Sequence, residues 1–181
     1  MLAIKTGRPV KFSEEAKVKA AEIIERYPEG KQKSAVLPLL HLAQEENDNW
    51  LSSEVMDYVA SLLKILPIQV YEVATFYSMY NLNPVGKYVL EVCQTGPCAI
   101  CGAEWLVDYL QQKLKIEVGG TSADGMFTLK TVECLGACGY APMMQVGKYY
   151  YEHLNAPDKV DTLLDKLRSG MIKQENWVLH G

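Results

Sequence analysis

Residues 88–106 read YVLEVCQTGPCAICGAEWL and residues 127–142 read FTLKTVECLGACGYAP, and these two stretches decide the fold. In each, a short apolar run typical of a strand leads into a glycine-rich loop that carries cysteines. A helical pattern over residues 103–114 separates the two strands, which predicts a βαβ unit. Strands connected in this way are parallel, so both cysteine loops are expected at the carboxyl edge of one sheet, where open α/β folds bind ligands.

The sequence after these loops predicts two more strands and a helix. Residues 143–146 and 149–151 are apolar or aromatic and flank a tight turn at Gly147-Lys148. Residues 156–167 form an amphipathic pattern, with the inward positions Val160, Leu163, Leu164 and Leu167. The resulting order β-α-β-β-β-α predicts a small thioredoxin-like α/β domain.

The sequence before the loops is helical in pattern. Ser13 is a suitable cap for a first helix whose inward face we assign to Val18, Ala21 and Ile24, and Pro67 suits the start of a fourth helix. The fold class is therefore predicted as α+β. We expect an N-terminal helical bundle over residues 1–84, a thioredoxin-like α/β domain over residues 85–169, and a C-terminal tail over residues 170–181.

Composition narrows the classes of partner. The 181 residues carry a formal net charge of −4 with no basic block, so neither nucleic acid nor an anionic membrane surface is expected as a partner. The longest apolar stretch, residues 59–73, is interrupted by Lys64, Pro67 and Glu72, and the first residues lack the apolar core of a secretory signal. These features predict a cytoplasmic protein with no direct membrane insertion.

The five cysteines are confined to one part of the chain and are Cys93, Cys98, Cys101, Cys134 and Cys138. A disulfide framework would spread an even number across a small secreted fold, so a metal or redox site fits better. Four thiolates are the usual complement of a [2Fe-2S] cluster, which leaves one cysteine spare. The first three together with Cys134 imitate the plant-type ferredoxin spacing, and chemistry alone leaves that ligand set open.

Two other kinds of cysteine site remain open at this stage. A structural zinc site would use Cys98, Cys101, Cys134 and Cys138, and it would make the chain an interaction module. A thioredoxin-type dithiol would use Cys98 and Cys101 alone, and would leave the other three cysteines unexplained. Analysis for iron and labile sulfide separates all three sites.

Residues 72–106 and 132–142 together resemble the small [2Fe-2S] subunit of respiratory complex I, the NADH:quinone oxidoreductase subunit of the 24 kDa or E type. The resemblance covers almost the whole chain. It implies a thioredoxin-like ferredoxin domain whose cluster ligands are Cys93, Cys98, Cys134 and Cys138, with Cys101 spare. Thr95-Gly96-Pro97 departs from the Thr-Thr-Pro that this family often has before its second cysteine.

The resemblance also implies an electron-transfer role inside a larger enzyme. A [2Fe-2S] centre moves one electron at a time, and the chain has no Gly-rich nucleotide fingerprint, so it holds no complete active site for NADH. The implied partners are the subunit that binds FMN and NADH and other peripheral-arm subunits, at the cytoplasmic side of the inner membrane. The same subunit type serves NAD-linked hydrogenases and formate dehydrogenases, which stay open as alternative settings.

Overall fold

The computed structural model describes residues 4–10 and 12–171, and it divides the chain into two compact units with the boundary between Val85 and Gly86. Each unit is built around an apolar core of its own. The three-part domain division expected from the sequence stays a prediction, and residues 172–181 of the expected tail lie outside the described residues. Within the described ranges, none of the helices combines the length and apolar composition needed to cross a membrane.

The described part of the first unit contains four α-helices, with a 3-10 turn at Gln32–Ala35 ahead of the second. They are α1 (Glu14–Glu25), α2 (Val36–Glu46), α3 (Ser53–Leu63) and α4 (Pro67–Phe76). The cap expected at Ser13 forms, because Ser13 Oγ accepts the Ala16 N–H at 3.1 Å. At the start of α3, Ser52 Oγ accepts the Val55 N–H at 3.3 Å. Each cap satisfies a donor that the first turn of a helix leaves unpaired.

The predicted inward face of α1 is wrong at Val18 and Ala21, whereas Ile24 is partly buried against the core of the first unit. Val18, assigned to that face together with Ala21 and Ile24, is 61% exposed. The residues that α1 buries are Ala16, Ala20 and Ile23. Two apolar stripes with helical spacing run along this helix, and the small alanines of the buried stripe allow α1 to approach α2 closely.

The second unit contains a four-stranded sheet in the order β2-β1-β3-β4. The strands are β1 (Tyr88–Cys93), β2 (Phe127–Val132), β3 (Met144–Val146) and β4 (Tyr149–Tyr151). β1 pairs in parallel with β2, from Tyr88 opposite Phe127 to Cys93 opposite Val132, and antiparallel with β3. Both strands that precede the cysteine loops therefore end at the same edge of the sheet.

One face of this sheet is covered by α6 (Ala103–Leu114) and α7 (Pro157–Ser169), which share its core. The large side chains buried there include Leu90, Leu106, Leu110, Phe127, Leu129 and Leu164. A short helix, α5 (Pro97–Ile100), lies between β1 and α6. The predicted α+β class is confirmed.

The outer edge of β2 is lined by the turn that precedes it. The Gly119 N–H donates to the Leu129 carbonyl at 2.7 Å, and the Leu129 N–H donates to the Gly120 carbonyl at 3.1 Å. Thr121 continues this antiparallel contact as a bridge with Thr128. The opposite edge strand, β4, is only three residues long.

Candidate metal centre

The two cysteine loops leave the sheet side by side. Cys93 is the last residue of β1, and the Gln94 N–H donates to the Val132 carbonyl at 3.0 Å, which keeps the two strands paired beyond Cys93. In the first loop, Gly96 adopts a φ of +50° and Pro97 opens α5, the helix that carries Cys98. The second loop runs into a 3-10 turn at Cys138–Tyr140.

Cys134 and Cys138 form one pair. Their Sγ atoms are 3.9 Å apart, and the Gly136 N–H between them donates to Cys134 Sγ at 3.4 Å. Two thiolates on one tetrahedral metal, with bonds of about 2.3 Å, lie about 3.8 Å apart. The pair therefore already has the separation that one shared metal ion requires.

Cys93 and Cys98 form a second pair, buried against Ala103 and Met143. Burial opposes ionisation of Cys93, but the N–H groups of Thr95 and Leu135 and the Cys98 thiol hold its pKa below the ordinary value. Burial, together with the hydrogen bond to Cys93 and the charge of that thiolate, raises the pKa of Cys98 to about 11. Of the two thiols, Cys93 is therefore the one that ionises more readily.

Leu135 connects the two pairs. It belongs to the second loop, yet its N–H stabilises the Cys93 thiolate of the first. Its carbonyl accepts the Tyr150 hydroxyl at 2.7 Å, so β4 holds this part of the loop in place. Sequence reasoning missed Leu135 and Tyr150 because both contacts depend on how the loop lies against β4.

Repulsion between the thiolates of the four cysteines would be relieved by a bound cation. The hydrogen bond with Cys134 and the charge of its thiolate raise the pKa of Cys138, and the thiolate of Cys93 contributes in the same direction. Thiolates that oppose one another's ionisation in this way can all be charged only around a positive centre. Sulfur ligands alone favour an iron-sulfur cluster or zinc.

The grouping in pairs suits two metal ions better than one. In a [2Fe-2S] cluster each iron takes two protein ligands, so two cysteine pairs are the arrangement needed. Cys98 lies beside Cys93, whereas Cys101 is exposed beyond the end of α5.

The family model of the thioredoxin-like [2Fe-2S] ferredoxins matches residues 20–168, which is most of the chain and includes all five cysteines. The chain belongs to this family. The resemblance stated from the sequence is thereby confirmed, and a [2Fe-2S] cluster is the cofactor that characterises the family.

Two similar proteins are named as the E-type subunit of NADH-quinone oxidoreductase, so these relatives are parts of an oxidoreductase, as expected. The one from Rickettsia conorii is 45% identical over 150 residues, which cover 83% of this chain and 89% of the relative. The one from Rickettsia typhi is 46% identical over 147 residues, covering 81% and 86%.

The fold also occurs in a solved structure of an NAD+-reducing [NiFe]-hydrogenase in the air-oxidized state, with a TM-score of 0.62 and 19% sequence identity. The match covers 77% of this chain but only 24% of the hydrogenase chain, so this chain spans about a quarter of that protein's length. At this identity the likeness concerns the fold.

Proposed function

We propose that this chain carries one [2Fe-2S] cluster on Cys93, Cys98, Cys134 and Cys138, and that it is the electron-transfer subunit of an NADH:quinone oxidoreductase. The observation that carries the proposal is the pairing of these four sulfurs, with the Leu135 N–H reaching across to Cys93. The assignment to an NADH:quinone oxidoreductase is supported by the names of two relatives that align with most of the chain.

The cluster, when bound, takes up and returns one electron at a time. The protein's part is to hold the four thiolates in place and to stabilise their charge. N–H groups of Thr95 and Leu135 point to Cys93, and that of Gly136 points to Cys134. Such hydrogen bonds to sulfur raise the reduction potential of an iron-sulfur centre. Ala103 and Met143 pack against the inner pair and keep water from it.

The partner we propose is a chain that binds FMN and oxidises NADH, with which the cluster exchanges single electrons. A hydride carries two electrons, so a flavin has to stand between NADH and a one-electron centre. Further partners would be other subunits of the peripheral arm, at the cytoplasmic side of the inner membrane.

An equivalent role in an NAD-linked hydrogenase is the second candidate function. The likeness of fold to the NAD+-reducing [NiFe]-hydrogenase favours it, while the higher identity of the two Rickettsia relatives favours the quinone enzyme. Purification of the native complex decides between them, because the hydrogenase assembly would contain nickel.

Metal analysis of the purified chain tests the cluster itself. We expect a brown protein with about two irons and two acid-labile sulfides per chain, and a rhombic electron paramagnetic resonance signal after reduction. A colourless protein with one zinc per chain would replace the proposal with the structural zinc site.

A further inference from the structure

Glu152, just beyond β4, has an unusual side chain. Among the described residues, its Oε1 is the one buried side-chain nitrogen or oxygen without a hydrogen-bond partner. Leaving such an atom unpaired costs free energy, so in a native protein it calls for an explanation of its own, such as a bound water or ion or a redox role.

The backbone places Glu152 beside the loop that follows Cys138. The residue before it, Tyr151, pairs with Met144 in the sheet. The residue after it, His153, donates its N–H to the Tyr140 carbonyl at 3.0 Å. Glu152 is therefore held between the start of β3 and the 3-10 turn that contains Cys138.

The alternation of the strand indicates the direction of the side chain. Side chains two residues apart on an extended strand share a face. Tyr150 packs against the group that contains Cys93 and Cys98, and its hydroxyl reaches the Leu135 carbonyl, whereas Tyr151 packs into the core under α6 and α7. Glu152 follows Tyr150 by two residues and so belongs to the cysteine side of the sheet.

Lys159, in the first turn of α7, binds other acceptors. Lys159 Nζ donates to the His153 carbonyl at 3.0 Å and to Asn155 Oδ1 at 2.9 Å. Oε1 of Glu152 accepts no hydrogen bond from the described residues. A buried charge is screened much less than an exposed one, so its field extends to neighbouring groups.

We propose that Glu152 lowers the reduction potential of the cluster, an inference that rests on the proposed [2Fe-2S] centre. Reduction adds one negative charge to the cluster. A fixed carboxylate on the same side of the sheet raises the free energy of the reduced form more than that of the oxidised form. Glu152 opposes in this way the N–H groups that favour reduction.

The test is a redox titration of the full chain, followed by electron paramagnetic resonance, in three variants. Glu152→Gln keeps the shape and removes the charge, and we expect a shift of the midpoint potential to a more positive value. Glu152→Asp keeps the charge and should stay closer to the wild type. Glu133→Gln is the matched control, because it removes the same charge from an exposed position next to Cys134.

The possible outcomes distinguish failure of the proposed role of Glu152 from failure of the proposed [2Fe-2S] cluster. We expect unchanged iron content in all variants, and a shift in Glu152→Gln that persists at high salt, where the smaller shift of Glu133→Gln disappears. A Glu152→Gln potential equal to the wild type, an equal shift in Glu133→Gln, or loss of iron in Glu152→Gln would overturn the tuning role. A wild-type chain without iron would instead overturn the proposed cluster, and this inference with it.

Discussion

Cys101 and Cys138 differ in their surroundings, and the difference can be tested by substitution. Both thiols are exposed, but Cys138 Sγ lies 3.9 Å from Cys134 Sγ, whereas Cys101 lies beyond α5 and outside the buried pair. We expect Cys101→Ser to keep about two irons per chain, and Cys138→Ser to lose the cluster or to change its spectrum through oxygen ligation. Iron analysis and visible spectra provide the measurement.

The reverse result has a clear meaning. If Cys101→Ser empties the site while Cys138→Ser leaves it intact, the ligands are Cys93, Cys98, Cys101 and Cys134, the plant-type set. Cys101→Ala serves as the control, because alanine has neither the sulfur of cysteine nor the oxygen of serine and so cannot bind iron at this position.

Glu54 binds the N-terminal segment through hydrogen bonds, and we expect this attachment to depend on pH. Burial would raise its pKa, but N–H groups of Glu54 itself and of Gly7, the Ser52 hydroxyl and the Thr6 N–H lower it to about 2. Because this value lies below the ordinary 4.5, the anchoring is complete above pH 4.5 and is lost as the pH falls towards 2.

Nuclear magnetic resonance can follow this loss directly. The Thr6 and Gly7 N–H groups donate to Glu54 Oε1 at 2.8 Å and 2.6 Å, so their amide shifts should titrate near pH 2. In Glu54→Gln this titration should disappear. A midpoint near 4.5 in the wild type would show that the carboxylate is not held by these donors.

For individual residues, the sequence predicted which cysteines could form the site, but it did not predict the contacts that hold the cysteine loops in place. The spacing of the cysteines could be read directly, because loops after parallel strands share an edge. The Tyr150 hydroxyl and the unpaired oxygen of Glu152 depend on the register between β3 and β4, which a strand of three residues does not encode in its pattern.

Among the elements, α7 contributes one buried face to the core of the second unit. Leu164 is 1% exposed, while Thr162 on the same helix is exposed. We expect Leu164→Ala to reduce the free energy of unfolding by about 2–5 kcal/mol. Thr162→Ala, the matched control, should change it by less than about 0.5 kcal/mol. Urea denaturation of both variants measures the difference, and equal effects would contradict the packing of α7.

Helices and strands with a clear hydrophobic pattern could be predicted from the sequence. The bounds of α6 and β4 agree with those read from the sequence. The helix α5 was missed, because four residues are too few to show a helical period. The inward face of α1 was wrong because two stripes fit the same period, and only packing against α2 selects one.

For the whole molecule, the proposed role predicts dependence on a second chain. Because a [2Fe-2S] centre moves one electron at a time and cannot accept a hydride, the purified chain should show no NADH oxidation with an artificial acceptor. Native purification should bring a flavin-containing chain with it. Measurable NADH oxidation by the chain alone, or recovery as a free monomer under mild extraction, would contradict the proposal. The residues that bind flavin and NADH would belong to another chain. This sequence alone therefore could not distinguish a quinone oxidoreductase from a hydrogenase or a formate dehydrogenase.

The turn beside β2 has a consequence for the association of one copy of the chain with another. An open strand edge is a template on which another polypeptide can add a strand, and such growth leads to aggregation. Residues 119–121 already occupy the middle of the outer edge of β2, and β4 is too short to offer a long template. Edge-to-edge association between two copies of this sheet is thereby disfavoured at both of its sides.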